Sequence, residues 1–505
     1  MYSRHSAVRI SCRFLYLGLL FVVLVGSLSA AARESSALPD AFRSQDLLWE
    51  IQLGTHQYTI PRIDNGRIFI GINDRGLKHP VLPRTGGGIM MCLERATGMM
   101  IWQLVIPRYM EGTKAPFHFN HWQCGVCSRP EIDGKRLYIV GPRGDVLCLD
   151  RNGQADGNDG PFVNEIEYMG VRPNIEYKLT ETDGDIIWQF DMIKEVLTVP
   201  HDVCGSASLL YGDCLYVCTS NGQDDKHKYV ANPLAPSLIA LDKNTGRLLA
   251  ADGELIGKRM YHGHWSSPVA AKINGQAMIL FGGGDGVMYA FEPLGSAADG
   301  DKAQTLNKIW QYDCNPADYR RRNGQEIPYS GWKSKRTDGP SEIIATPLVH
   351  NDRVYIAIGQ SPIHGPGLGM LSCIDGATGR KIWESRRVGR TLSEVAIDDG
   401  LLYISDFTGR LCCLDADTGE LYWEHELGAG VWCASPVVVG DKVYISTERN
   451  RLWVFKTGRE KQVLSESRVR SMAITPAIQD GVFYLPTQNR LFALKIKSDT
   501  TEASN

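Results

Sequence analysis

Five of the twelve histidines fall in three short stretches: His118 and His121, then His201, then His262 and His264. Neutral imidazoles bind transition metals, and protonated ones bind anions. Asp202 directly follows His201 and could serve as a further ligand or orient a neighbouring ring. Trp265 directly follows His264. Glu342 and Glu394 stand in later stretches of the same kind. If loops brought these segments to one point, the set would make a metal or ligand site. The competing reading is that each histidine hydrogen-bonds within its own loop.

A second constellation is oxygen-rich. Asp150, Asn152, Asp156, Asn158 and Asp159 lie within one run of eleven residues ending at Gly160. Hard cations take such ligands. The run departs from the EF-hand pattern, with Ala155 where glycine is needed and no closing glutamate. An Asx- and Gly-rich turn is the competing reading. Cys412 and Cys413 are adjacent, yet they sit in a strand pattern, where neighbours point to opposite faces. A bond between them would distort the strand. Cys124 and Cys127 form a lone C-x-x-C with no second pair and no following histidine, so a local disulfide or two packed thiols fits better than a metal or haem site.

The elements that position these residues come from a repeat. Eight segments share a small residue, a large apolar one and a polar one: Cys92-Leu93-Glu94, Cys148-Leu149-Asp150, Ala240-Leu241-Asp242, Ala290-Phe291-Glu292, Cys373-Ile374-Asp375, Cys413-Leu414-Asp415, Val454-Phe455-Lys456 and Ala493-Leu494-Lys495. The last four recur about every 40 residues, the period of a four-stranded propeller blade. A Thr-Gly turn follows several of them, as at Gly98, Gly246, Gly379 and Gly419. Trp102, Trp383 and Trp423 come four residues after such a glycine, and Trp188 and Trp310 hold the same place after insertions. Pro61, Pro130, Pro347, Pro436 and Pro476 each precede an aromatic residue by eight, marking a first strand.

The expectation is an all-β, eight-bladed propeller of four-stranded antiparallel blades over 46–497. The last unit lacks its Trp strand, while Leu48-Trp49-Glu50-Ile51 stands unclaimed at the other end. An N-terminal strand completing the last blade would leave no free edge. Long insertions at about 72–88, 104–122, 222–236, 312–341 and 360–369 all fall on one face of such a ring. Those near 153–183 and 293–307 fall on the other.

Arg4, His5, Arg9 and Arg13 precede an apolar run from Phe14 to Val25 and then Ala30 and Ala32, the pattern of a secretory signal peptide over 1–32. A linker over 33–45 and a disordered tail over 498–505 complete the expected organisation. The protein is expected to be exported, to the periplasm or beyond, with no membrane span in the mature chain. Lys and Arg number 54 against 57 Asp and Glu, and this balance argues against nucleic acid as a partner. With 43% hydrophobic residues, disorder is excluded as the main state.

The segment from Gly409 to Trp423, with Cys412-Cys413-Leu414-Asp415 followed by Asp417-Thr418-Gly419, resembles the pyrroloquinoline-quinone-like (PQQ-like) propeller repeat. That family includes PQQ-dependent dehydrogenases and non-catalytic scaffolds of the BamB type. The dehydrogenase resemblance implies PQQ with calcium, a carboxylate base such as Asp202, Glu342 or Glu394, and an aromatic floor from Trp122, Trp265 or Trp432. These residues do not assemble into a matching motif. The preferred expectation is therefore a non-catalytic scaffold without a cofactor, binding a protein, peptide or polysaccharide on the loop-rich face.

Overall fold

The computed structural model describes residues 42–496, apart from 80, 110–121, 225, 296–301, 332, 333, 335 and 433. The expected signal peptide, most of the linker, the tail, His118 and His121 lie outside the described residues. Thirty-two of the thirty-five strands among the described residues build eight four-stranded antiparallel blades, seven of them ordered as in the chain. The sixth blade is representative, with strands Ala396–Asp398, Leu401–Ser405, Arg410–Asp415 and Leu421–Glu426 paired in sequence. The closing blade pairs Ala477–Gln479, Val482–Pro486 and Arg490–Lys495, and its outer strand is Leu47–Gln52. Trp49 lies opposite Ala493 there, so the N-terminal strand fills the place the last repeat lacks. No helix among the described residues is long and apolar enough to cross a membrane.

Second and third strands of the blades are buried almost throughout, as in Asp145–Asp150 and Cys214–Cys218, because both faces meet a neighbouring blade. Adjacent strand residues therefore enter different cores. Cys412 packs with Tyr355 and Trp383, whereas Cys413 packs with Tyr403, Trp423 and Phe455. No disulfide joins Cys412 to Cys413, or Cys124 to Cys127.

The tryptophan and glycine columns of the repeat meet across blade boundaries. Four outer-strand indoles donate to a carbonyl beside the Thr-Gly turn of the next blade: Trp49 to Arg95 (3.1 Å), Trp188 to Lys243 (3.1 Å), Trp310 to Gly376 (2.8 Å) and Trp383 to Ala416 (3.1 Å). The ring then lies flat over the turn glycine. A Cβ on Gly246 would sit 2.5 Å from Trp188, and one on Gly419 would sit 2.6 Å from Trp383. These glycines also have φ of +73° and +74°, so both backbone conformation and space demand glycine.

Two additions escape the repeat. Gln304–Thr305, inside the 293–307 insertion, pairs in parallel with the outer strand Leu248–Ala251 of the preceding blade. A short hairpin, Arg321–Arg322 with Gln325–Glu326, rises from the 312–341 insertion.

Candidate metal and ligand site

Loops from several blades converge on the insertion-rich face. His201 follows the short helix Met192–Glu195 on the connection into the third blade, and His262 enters the fourth. Their loops touch through Gly222, bridged to Gly263, where a Cβ would stand 2.4 Å from the His201 Cβ and 2.9 Å from the His262 carbonyl. Glycine at 222 is thus what lets the two segments close up.

His201 and His262 are buried, with ring centroids 4.5 Å apart. A third ring comes from the 222–236 insertion: His227 lies 4.6 Å from His201 and 5.1 Å from His262, centroid to centroid. One ligand nitrogen from each of the three falls within 4.8 Å of the other two. His201 Nδ1 is 2.8 Å from the Gln223 carbonyl oxygen, which can only accept, so the N–H sits on Nδ1 and the Nε2 lone pair faces inward. That Nε2 lies 3.1 Å from His227 Nε2 and 3.7 Å from the Asp202 carboxylate.

An outer layer supports the cluster. Glu342, fully buried, places Oε1 3.8 Å from His262 Nδ1, while its Oε2 accepts from the Gly263 amide at 3.4 Å. Burial pushes its carboxyl up to about 8, against the opposing hydrogen bonds from Tyr329 and Gly263. The Tyr329 hydroxyl lies 3.0 Å from Glu342 Oε1 and 2.9 Å from His364 Nδ1. His364, on the turn Pro362–His364, has its ring 4.5 Å from His262. Burial, with a smaller push from the Arg390 charge, lowers it to about 4 and keeps it neutral. A cavity of about 580 Å³ opens beside His227, lined also by Gln223, Lys226, Met260, Tyr261 and Tyr329.

Not every residue singled out in the sequence is gathered here. His264 turns away: its Nδ1 accepts from the Gly284 amide (3.0 Å), and its Nε2 meets Ser237 Oγ (2.9 Å). Glu394 is held through its backbone, with its amide on Ser435 Oγ and its carbonyl on Ser393 Oγ, and makes no contact with the cluster among the described residues. Trp265 flanks the cluster at 5.0 Å from His262, its indole donating to the Val203 carbonyl. His227, His364 and Tyr329 are the residues missed. The signal was available: each lies in an insertion assigned to the same face as His201.

On the other face, Asp150, Asp156 and Asp159 bring carboxylate oxygens within 4.8 Å of one another. Asn152 and Asn158 do not join them as ligands. The Asn152 oxygen accepts from Arg67 (2.9 Å), and the Asn158 amide donates to Glu165 (2.9 Å).

The donor sets bear on the cofactor that the resemblance implies. Calcium needs an oxygen cage, and three imidazoles suit a transition metal better. A flat quinone needs an open ring face. Trp265 is pressed against Gly263, where a Cβ would come within 2.7 Å of its ring, while Trp122 and Trp432 are among the exposed residues. The histidine cluster is thus no oxygen cage for calcium, and the Trp265 ring beside it is covered.

The fold is an eight-bladed β-propeller, and its repeat resembles the PQQ-like one. Residues 368–500 match the family model described as "Outer membrane protein assembly factor BamB". The BamB of Alkalilimnicola ehrlichii is 26% identical over 160 residues, 31% of this chain and 39% of that protein, so the match spans about two fifths of the relative's length. Among solved structures, BamB from Moraxella catarrhalis aligns with 89% of this chain and 99% of its own, at 14% identity and a TM-score of 0.55. A quinohemoprotein alcohol dehydrogenase from Pseudomonas putida aligns with 91% and 77%, at 11% identity and a TM-score of 0.52. At these identities the structural likenesses speak for the fold.

Proposed function

We propose that this protein is an exported, non-catalytic binding propeller whose loop-rich face holds a divalent transition-metal ion at His201, His227 and His262. The convergence of three imidazoles, one of them with its tautomer set by the Gln223 carbonyl, carries the reading. Asp202 is placed to act as a fourth ligand, or the position stays open to a bound partner. Glu342 and the pair Tyr329 and His364 orient the rings from behind.

A protein partner suits the surroundings. Leu197, Leu234 and Leu255 are 64%, 63% and 40% exposed on loops of this same face. The 222–236 insertion links two of them, since Asn232 donates to the Leu197 carbonyl at 2.7 Å. The relatives named for outer membrane protein assembly agree with a scaffold that engages other proteins.

The test is a zinc titration of the metal-free protein by calorimetry. One equivalent is expected to bind, with at least a tenfold loss of affinity in His227→Ala and no change in Glu394→Gln. Absence of binding, or binding indifferent to His227→Ala, would overturn the assignment.

A further inference from the structure

A second cleft, of about 570 Å³, opens beside the seam where the ring closes. Three segments line it: Asn450 at the hairpin of the seventh blade, Arg468 and Arg470 at the exit of that blade, and Asn489 with Arg490 at the hairpin of the last blade. All three belong to the loop-rich face, but none belongs to the histidine cluster.

Charge in this cleft is unbalanced. Glu50, on the N-terminal strand, is the carboxylate that meets its guanidinium groups. Its Oε1 accepts from Arg470 Nη1 at 2.7 Å and from Arg490 Nη1 at 2.5 Å. Arg468 is exposed and makes no ion pair among the described residues. Three guanidinium groups therefore face one carboxylate, leaving about two positive charges in a small polar concavity. The side chains of Arg470 and Arg490 remain 64% and 29% exposed, so ligand can reach them.

The lining favours oxyanions: a guanidinium presents a planar fork of donors that matches paired carboxylate or phosphate oxygens, which a lysine ammonium does not. Glu50 already shows a carboxylate oxygen seated between two of these forks. Asn450 and Asn489 add amide groups at the rim.

We propose that this cleft is a binding site for carboxylate-bearing ligands, with Arg468 as the unoccupied fork and Glu50 as an internal carboxylate that competes for Arg470 and Arg490. Malonate, carrying two carboxylates, is the probe. Acetate and inorganic phosphate are the comparison arms.

Calorimetric titrations of the full chain at low ionic strength test the idea. The neutral chelator 1,10-phenanthroline is included so that malonate cannot bind through a metal. Malonate is expected to bind more tightly than acetate or phosphate. Arg468→Ala should weaken it at least tenfold, and Arg468→Lys several-fold, because charge returns without the fork. Glu50→Gln should tighten it several-fold, a gain that a merely damaged fold would not give. A thermal melt of each variant checks that the ring is closed. No malonate binding, binding unmoved by Arg468→Ala, or phosphate binding tighter than malonate would each overturn the proposal.

Discussion

His201 and His227 place their Nε2 atoms 3.1 Å apart across 26 residues of chain. Two nitrogens bound to one tetrahedral zinc at about 2.05 Å stand about 3.4 Å apart, so little movement separates this geometry from a ligated one. The His201 ring is already oriented by its bond to the Gln223 carbonyl.

Cobalt(II) in place of zinc should therefore give the visible bands of a four-coordinate site. His364→Ala should keep one cobalt per chain but weaken it about tenfold and shift the bands, as loss of an outer-layer partner does. Unchanged affinity and spectrum would show that His364 has no positioning role.

Adding PQQ and calcium to the purified protein should produce neither a stoichiometric quinone spectrum nor dye reduction with alcohols or sugars. The expectation rests on the covered face of Trp265 and the nitrogen-rich donor set. Turnover would establish the dehydrogenase alternative.

Closure of the ring should be sensitive to Trp49. Its indole bonds the Arg95 carbonyl and its ring covers Gly98, joining the last blade to the first. Trp49→Ala should cost about 3 kcal/mol in a denaturant titration. Deleting 33–53 should do more, because it exposes a whole strand edge.

Two glycines of similar φ should respond differently. Gly419→Ala would drive a methyl to 2.6 Å from Trp383, whereas Gly400, at φ +73°, has nothing within 4 Å of its Cβ position. Gly400→Ala should cost about 1 kcal/mol from backbone strain alone. Gly419→Ala should cost clearly more, by the same denaturant measurement.

Glu448 provides a pH signature. Burial raises its carboxyl to about 7, above the usual value for glutamate. A carboxyl raised in the folded state binds protons more tightly there than in the unfolded chain. Its contribution to stability is favourable at low pH and declines as pH rises from about 4.5 to 7. Glu448→Gln should therefore raise the melting temperature at pH 8 and change it little at pH 4.

The repeat was legible because each blade repeats the same packing problem. Small residues at Cys92 or Ala493, turn glycines and tryptophans recur where neighbouring sheets touch, so one column predicts the next. Ring closure was legible too, since a missing Trp strand at one end matched Leu48–Ile51 at the other. The parallel strand Gln304–Thr305 was not, because it pairs outside the blade that encodes it. The cluster was half legible. His201 and His262 stand at matching points of the repeat, but side-chain direction does not follow from register, and His264 turns to Ser237 instead. His227 and His364 sit in insertions that obey no period, so only their shared face connected them to the others.

The seam has a consequence for how the chain is made. Glu50 and Arg490 are 440 residues apart in sequence yet bonded in the fold. At translation rates of about 5–20 residues per second, the first strand waits roughly 20–90 s for its partner. Until Arg490–Lys495 has been made, Leu47–Gln52 lacks the strand it pairs with in the finished ring. The native ring thus has a topology that delays its own completion until the last blade has been delivered.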